Sequence, residues 1–217
     1  MPAVDEHVIL LHGLARTRRS MRPLQLALQG HGYSAINLGY DSRAGAIERI
    51  APAAIAPALA ACAPGATVHF VTHSLGGILL RQFLSRQPID GLGRVVMLGP
   101  PNRGSEVVDR LGRWPGFRLL NGEAGLQLGT GSDSLPRRLG RADFDVGVIA
   151  GTRSVNWLLS CLIDGPDDGK VSVESSRLDG MNDHLEMAVT HPFMMRNRAV
   201  IAQVLHYLGH GRFRREP

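Results

Sequence analysis

The sequence predicts an α/β fold built on about six mostly parallel strands, with helices on both faces of the sheet. Short runs of apolar and β-branched residues alternate along the chain with stretches whose apolar residues recur at helical spacing. Continuous apolar runs of this kind are typical of parallel strands that are covered on both faces. With 217 residues, of which 44% are hydrophobic, the chain is large enough for one well-packed core, and we expect a single domain over residues 1–217.

Six segments carry the strand pattern, and helical segments separate them. The predicted strands are HVILLHG (7–13), YSAINLGY (33–40), TVHFVT (67–72), RVVMLG (94–99), DVGVIAG (145–151) and HLEMAVT (184–190). Helices are predicted over 21–28 and 47–62, directly after Ser74, and over 200–208. We expect Pro52 and Pro57 to disturb the alanine-rich second helix, because proline removes a backbone donor.

The net charge of +5 comes almost entirely from arginine, since Lys170 is the only lysine. The sequence has no zinc-ligand spacing, no recognition-helix pattern and no basic patch interleaved with aromatic residues, so we expect no nucleic-acid partner. Four arginines follow the first strand closely: Arg16, Arg18, Arg19 and Arg22. They indicate a solvated loop or, alternatively, a region that attracts anionic substrates or lipid surfaces.

No stretch approaches the length of a membrane-spanning helix, and the early apolar run 8–11 is too short for a signal peptide. We therefore expect a cytoplasmic protein without stable membrane insertion, which still allows transient contact with a lipid surface. Cys62 and Cys161 have no metal or disulfide spacing and are predicted to be free, buried thiols. Asp179 and Asp183 lack the spacing of a calcium site, and we expect neither a metal nor an organic cofactor.

The stretch VTHSLGGILL (71–80) changes from a strand pattern to a helix pattern with no room for a loop. Ser74 is therefore expected on the turn itself, where its hydroxyl is pushed out of the sheet edge. The surrounding residues nearly match the pattern G-x-S-x-G, with Thr72 in place of the first glycine and Gly76 as the last. A serine placed between a strand and a helix in this way is typical of a nucleophile.

A nucleophilic serine needs a base, and the base needs an acceptor that orients it. One known chain order on such sheets is serine, then acid, then histidine. After Ser74, the polar loop that follows the fifth strand supplies Asp164, Asp167 and Asp168, and the sixth strand closes on His191. The three residue types thus occur in the required order, each after its own strand.

Two of these roles have rivals. His184 also lies near the sixth strand, but it begins that strand and should lie at the opposite edge of the sheet, so we favour His191. Among the acids we favour Asp168, which alone directly precedes a Gly-x-Val sequence. At the end of the first strand, Gly13 allows a tight turn that directs the next backbone N–H, that of Leu14, across the sheet edge.

With these motifs in place, the chain resembles small bacterial lipases and esterases of the α/β-hydrolase superfamily. The matching pieces are LLHGL (10–14), THSLGG (72–77), MLGPPNRGSE (97–106), GPDDGKVSVESS (165–176) and VTHPFMMRN (189–197). They span nearly the whole chain. The resemblance implies the compact α/β-hydrolase fold and hydrolysis of small-molecule or lipid esters without a cofactor.

The resemblance also implies roles for individual residues. Ser74 corresponds to the nucleophile, His191 to the base and Asp168 to the acid. The backbone amides of Leu14 and Leu75 correspond to the oxyanion hole. Thr72 departs from the strict pentapeptide, but relatives with alanine or threonine at this position are active lipases.

Several interpretations stay open at the level of sequence. A thioesterase or an amidase would use the same catalytic residues, and a non-catalytic binding protein could use the same scaffold. A dinucleotide-binding oxidoreductase is disfavoured, because no G-x-G-x-x-G follows the first strand. Residues 101–144 are more than a simple crossover needs and predict either a small cap or lid over an acyl-binding cleft, or a crossover helix with a surface loop.

Overall fold

The computed structural model describes residues 5–155 and 157–215, so both ends of the predicted 1–217 domain lie outside the described residues. Its strands are β1 (Glu6–Leu11), β2 (Ser34–Asn37), β3 (Thr67–His73), β4 (Leu92–Leu98), β5 (Val146–Gly151) and β6 (Asp183–Met187). They form one sheet in the order β2-β1-β3-β4-β5-β6, and every neighbouring pair is parallel. The predicted fold class is confirmed.

Helices connect the strands. They are α1 (Arg22–Gly30), α2 (Ile47–Ala60), α3 (Leu75–Leu84), α4 (Glu106–Leu111), α5 (Pro115–Leu126), α6 (Leu135–Arg138), α7 (Trp157–Ser160), α8 (Val173–Ser176) and α9 (Arg198–His210). Two 3₁₀ turns, Arg18–Met21 and His191–Arg196, precede α1 and α9. Among the described residues, no helix is both long enough and apolar enough to cross a membrane.

The sheet is covered on both faces, which explains why its strands are continuous apolar runs. In β1, Ile9 and Leu11 pack with residues of α2 and α3, whereas Val8 and Leu10 pack with residues of α1 and α9. All four side chains are fully buried. Successive strand residues point to opposite faces, so a strand with two covered faces has no polar side to show.

Helix α2 runs through Pro52 and Pro57 without a break, although we expected these prolines to disturb it. Both prolines lie on the exposed side of the helix. Each removes the amide donor for the carbonyl four residues earlier. On the solvent side, water can take the place of that donor, so the helix tolerates both residues.

The segment between β4 and β5 contains the short helices α4, α5 and α6. The path of α5 changes at Gly122, whose φ of 65° and ψ of −169° are not helical. Val107 of α4 and Phe117 of α5 share a small apolar cluster with Ile163. The same segment also joins the core of the sheet, because Ala124 of α5 and Leu135 of α6 belong to the cluster that covers one of its faces.

Two local predictions differ from the structure. Strand β6 ends at Met187, and residues 188–190 form a loop that leads to His191. Both cysteines are free, but Cys62 is only half-buried and Cys161 is exposed. The prediction of a buried thiol is wrong for Cys161, because this residue follows α7, a short helix whose Leu158 is itself exposed.

Candidate active site

Ser74 lies on the turn that joins β3 to α3. Its φ of 53° and ψ of −122° are unusual for a residue with a side chain. The turn needs close approach of the helix to β1, since a Cβ on Gly76 would lie 2.6 Å from the carbonyl oxygen of Leu11. Glycine at position 76 therefore permits the sharp turn that holds the Ser74 hydroxyl at the carboxyl edge of the sheet.

The structure brings Ser74, His191 and Asp168 together in one hydrogen-bonded chain. The Nε2 of His191 lies 3.0 Å from the Oγ of Ser74, and its Nδ1 lies 2.7 Å from the Oδ2 of Asp168. Asp168 and His191 are buried, and Ser74 is half-buried. With the proton on Nδ1 directed at the carboxylate, the His191 Nε2 is free to accept the serine proton.

Backbone contacts fix the Asp168 carboxylate and the His191 ring. The Oδ1 of Asp168 accepts hydrogen bonds from the amides of Lys170 (3.0 Å) and Val171 (2.9 Å), which leaves Oδ2 for the imidazole. The His191 amide donates to the Asp168 carbonyl at 2.9 Å. Gly99 has a φ of 52°, and a Cβ there would lie 2.8 Å from Oδ2 of Asp168. Only glycine fits beneath this pair.

The alternative residues for the acid and the base, Asp164, Asp167 and His184, lie outside this hydrogen-bonded chain. The Oδ1 of Asp167 accepts hydrogen bonds from the Ser160 hydroxyl (2.8 Å) and the Gly169 amide (2.6 Å), which shape the loop. Asp164 is exposed. The Nε2 of His184 lies 3.1 Å from the hydroxyl of Ser176. None of these three is hydrogen-bonded to Ser74 or His191 within the described part of the chain.

The two predicted oxyanion donors, the amides of Leu14 and Leu75, belong to segments that meet at Ser74: Leu14 lines the same cleft, and Leu75 directly follows the serine. Leu75 is the first residue of α3, so its N–H has no acceptor within the helix. The Leu14 N–H has no hydrogen-bond acceptor within residues 5–155 and 157–215. Gly13 brings this loop close, because a Cβ there would lie 3.1 Å from the Cβ of Ser74. Oxyanion holes are commonly built from backbone N–H donors of this kind.

The loop that carries Leu14 is held by residues that the sequence analysis missed. The Tyr40 hydroxyl donates a hydrogen bond to the His12 carbonyl, and the two rings stack at 4.0 Å between centroids. Ser42 accepts a hydrogen bond of 2.9 Å from the Ala15 amide. Burial raises the pKa of Tyr40, which therefore stays a donor. The signal in the sequence is their position after β2, whose carboxyl end shares the edge that carries Ser74.

His73 precedes the serine and packs against the His191 ring. Its Nε2 donates to the His191 carbonyl at 3.0 Å, and the ring centroids are 4.7 Å apart. Burial, followed by the nearby His191, holds the pKa of His73 well below its ordinary value. His73 is therefore a neutral ring that both supports His191 and contacts the cleft.

An apolar cleft opens beside Ser74. Its lining includes Leu14, Val107, Val108, Phe117, Leu128 and Val171. Two cationic residues, Arg16 and Lys170, also line it. Among the described residues, no group of three or more histidine, cysteine, aspartate or glutamate side chains is placed to hold a metal ion.

No family model and no curated protein matches the chain. Solved structures do. The mature lipase BlEst2 of Bacillus licheniformis matches with a TM-score of 0.73 at 19% identity, over 95% of this chain and 93% of that chain. The metagenomic carboxyl esterase MGS0156 matches with a TM-score of 0.71 at 17% identity, over 88% of this chain and 66% of that chain.

The phospholipase PlaB from Legionella pneumophila matches with a TM-score of 0.60 at 21% identity, over 79% of this chain and 45% of that chain. At sequence identities this low, the TM-scores show a shared fold and nothing more specific. The resemblance drawn from the sequence is thus confirmed at the level of architecture: the chain has the α/β-hydrolase fold of these lipases and esterases.

Proposed function

We propose that the chain is a serine hydrolase that cleaves carboxylic esters, with Ser74 as nucleophile, His191 as base and Asp168 as the acid. The observation that carries this proposal is the hydrogen-bonded chain from the Ser74 hydroxyl through both nitrogens of His191 to Asp168, at 3.0 Å and 2.7 Å. Burial of the imidazole and the carboxylate supports the proposal further. A carboxylate that is shielded from water forms a stronger hydrogen bond to the His191 ring and so orients the base more firmly.

In the proposed reaction, the Ser74 oxygen attacks the ester carbonyl while His191 Nε2 takes the hydroxyl proton. The carbonyl oxygen becomes an oxyanion, and the amides of Leu14 and Leu75 donate to it. His191 then returns the proton to the leaving alcohol, and the acyl group stays on Ser74. Water, deprotonated by His191, attacks the carbonyl carbon of this acyl-enzyme. The bond from that carbon to the Ser74 oxygen then breaks, His191 returns the proton to this oxygen, and the acid is released. One oxyanion donor of this kind is typically worth about 10²–10³ in rate.

The cleft lining favours a substrate with an apolar acyl chain, and the fold matches include proteins that are named lipases and esterases. A thioester or an amide would meet the same residues, so thioesterase and amidase activity form the second candidate. A purely binding role is disfavoured, because nothing in ligand binding requires an oriented base on a strained serine.

The segment 101–144 is proposed as a small cap over the acyl-binding cleft. Val107 and Val108 of α4 and Phe117 of α5 line the cleft on the inner side. On α5 and just before it, Trp114, Leu119 and Leu120 are exposed by 62%, 82% and 59%. Such an apolar outer surface favours the transient contact with a lipid surface that the sequence analysis allowed.

A fluorophosphonate probe tests the proposal directly. We expect labelling of the wild-type protein at Ser74, found by peptide mass spectrometry, and none in Ser74→Ala. A panel of p-nitrophenyl esters of increasing acyl length, with the matching phenyl thioester and anilide, then separates the candidates. We expect turnover of esters above that of the other two classes. A folded wild-type protein that neither labels nor turns over any of them is not a serine hydrolase.

A further inference from the structure

Two cations converge on the cleft from different loops. Arg16 follows β1, and Lys170 lies in the loop that carries Asp168. Both line the cleft that contains Ser74, and no aspartate or glutamate lines it with them. Within residues 5–155 and 157–215, neither cation has a carboxylate oxygen within 4.0 Å. The cleft that contains the nucleophile is therefore lined by two cations that form no ion pair among the described residues.

The Lys170 backbone is fixed relative to Ser74. Its amide donates to Asp168 Oδ1 at 3.0 Å, and its carbonyl accepts a 2.9 Å hydrogen bond from the Ser105 hydroxyl. The side chain therefore starts from a rigid position next to the acid. The flexible stem of the side chain is left to adjust the position of the ammonium at the cleft.

The positive charges of Arg16 and Lys170 repel each other when no ligand is bound. Lys170 is exposed as a residue, but neighbouring atoms partly desolvate its ammonium, and this lowers its pKa. The charge of Arg16 lowers the pKa further, and Asp168 opposes the change. Bringing like charges to one partly desolvated cleft is unfavourable unless an anion is placed between them. An anionic group on a ligand would supply that compensation through charge-assisted hydrogen bonds.

We propose that Arg16 and Lys170 form a subsite for an anionic group, a carboxylate or a phosphate, of the ester substrate. This substrate class rests on the proposed function, whereas the anion binding does not. Preferred substrates are esters that combine an apolar chain with a negative charge close to the scissile bond. The apolar lining binds the chain, and the two cations bind the charged end.

Matched esters test the substrate class. The acyl-side arm compares mono-p-nitrophenyl glutarate with neutral p-nitrophenyl pentanoate. The alcohol-side arm compares a lysophosphatidic acid with the monoacylglycerol of the same chain. In at least one arm, we expect kcat/KM for the charged ester to exceed that for the neutral one by about tenfold. Raising the salt concentration should reduce this preference.

Variants assign the preference to the two cations. Lys170→Met keeps an apolar stem and Arg16→Gln keeps a polar one, and each should lower the charged-to-neutral ratio of kcat/KM by about tenfold. Arg18→Gln and Arg19→Gln, in the 3₁₀ turn that follows Arg16, are matched controls. They should leave the ratio unchanged because neither residue lines the cleft. A ratio near one in both arms, or one that the Lys170 and Arg16 variants leave unchanged, would overturn the proposal.

A binding experiment separates this proposal from the proposed hydrolysis. Titration calorimetry with Ser74→Ala protein compares hexyl phosphate with hexanol, and we expect the phosphate to bind at least about tenfold more tightly. Lys170→Met in the same background should remove the difference. Hexyl phosphate binding without turnover of any ester would reject the hydrolase and keep the anion subsite. Turnover of neutral esters without hexyl phosphate binding would reject the subsite alone.

Discussion

The Ser42 hydroxyl accepts a 2.9 Å hydrogen bond from the backbone amide of Ala15, so the loop after β2 holds the loop after β1. Ala15 has a φ of 52°, a conformation that few residues other than glycine adopt. Such a conformation costs on the order of 1–3 kcal/mol and persists only where its surroundings hold it. Because Ala15 follows Leu14 directly, the Ser42 contact also restrains the loop that carries the Leu14 amide.

Removing this contact should therefore affect catalysis more than substrate binding. We expect Ser42→Ala to lower kcat by about tenfold and to leave KM within about twofold, since a misdirected oxyanion donor weakens only the transition state. Steady-state kinetics on one p-nitrophenyl ester measure both constants. Ser42→Thr keeps the oxygen and should restore most of the activity. An unchanged kcat in Ser42→Ala would mean that the loop holds its shape without Ser42.

The strained backbone of Ser74 gives a prediction that pairs activity with stability. Ser74→Ala and Ser74→Gly both remove the nucleophile, and both should lose at least about 10⁴-fold in turnover. Only glycine also relieves the positive φ, so Ser74→Gly should be the more stable of the two by about 1 kcal/mol. Urea unfolding of both variants measures the difference. Equal stabilities, or a less stable glycine variant, would contradict a strained turn.

The acid loop contains three aspartates in different settings. Asp168→Asn should lower kcat by about 10⁴-fold, because an amide imposes the wrong tautomer on the base. Asp167→Asn should cost less, since Asp167 contacts Ser160 and Gly169 rather than the imidazole. Asp164→Asn should be close to wild type. Similar losses in all three variants would show that the loop acts as a whole.

The two candidate bases can be separated in the same way. We expect His191→Ala to be as inactive as Ser74→Ala, because no other described side chain accepts the Ser74 proton. His184→Ala should keep most of the turnover and lose some stability, since His184 is hydrogen-bonded to Ser176. Kinetics and thermal unfolding of both proteins provide the check. An active His191→Ala protein would require a different base and a new choice of acid.

Buried histidines predict how stability depends on pH. Burial holds the pKa of His73 well below its ordinary value of 6.5, and burial also lowers the pKa values of His12, His69 and His184. Below about pH 6.5 the unfolded chain binds protons that the folded chain does not. The free energy of unfolding should therefore fall as the pH decreases. His73 alone contributes up to about 1.4 kcal/mol for each pH unit.

Urea unfolding at pH 7.0 and 5.5 measures this dependence. His73→Gln cannot gain a proton, so its stability should change less over the same interval than that of the wild type. Gln also keeps an N–H that can reach the His191 carbonyl, which limits the structural cost of the change. The same slope in both proteins would mean that His73 is protonated in the folded state.

Much of the fold follows from local patterns in the sequence. The six strands were recognisable because a sheet with two covered faces leaves no polar alternation, as in β1 with Val8 through Leu11. The turn at Ser74 was equally local, since a strand pattern meets a helix pattern there. The order of acid and base along the chain followed from which loops end at the same edge.

The rest depends on contacts that sequence patterns do not reveal. Ser42 and Ala15 are 27 positions apart, and no periodicity links them. Helices α4, α6 and α7 are too short to form from intrinsic propensity and depend on tertiary packing. The tolerance of Pro52 depends on which side of α2 faces solvent, and that is set by the packing of the other side.

Lys170 carries the only side-chain amine in the sequence, and this has a practical consequence. Lys170 lies on the cleft wall, and its lowered pKa leaves more of the uncharged, nucleophilic amine at neutral pH than an ordinary lysine has. A reagent that reacts only with amines therefore has one side-chain amine to modify, and that amine belongs to the wall of the cleft that contains Ser74. A fluorescent tag coupled there would report on the occupancy of the cleft by its change in emission, with no substitution in the chain needed to place it.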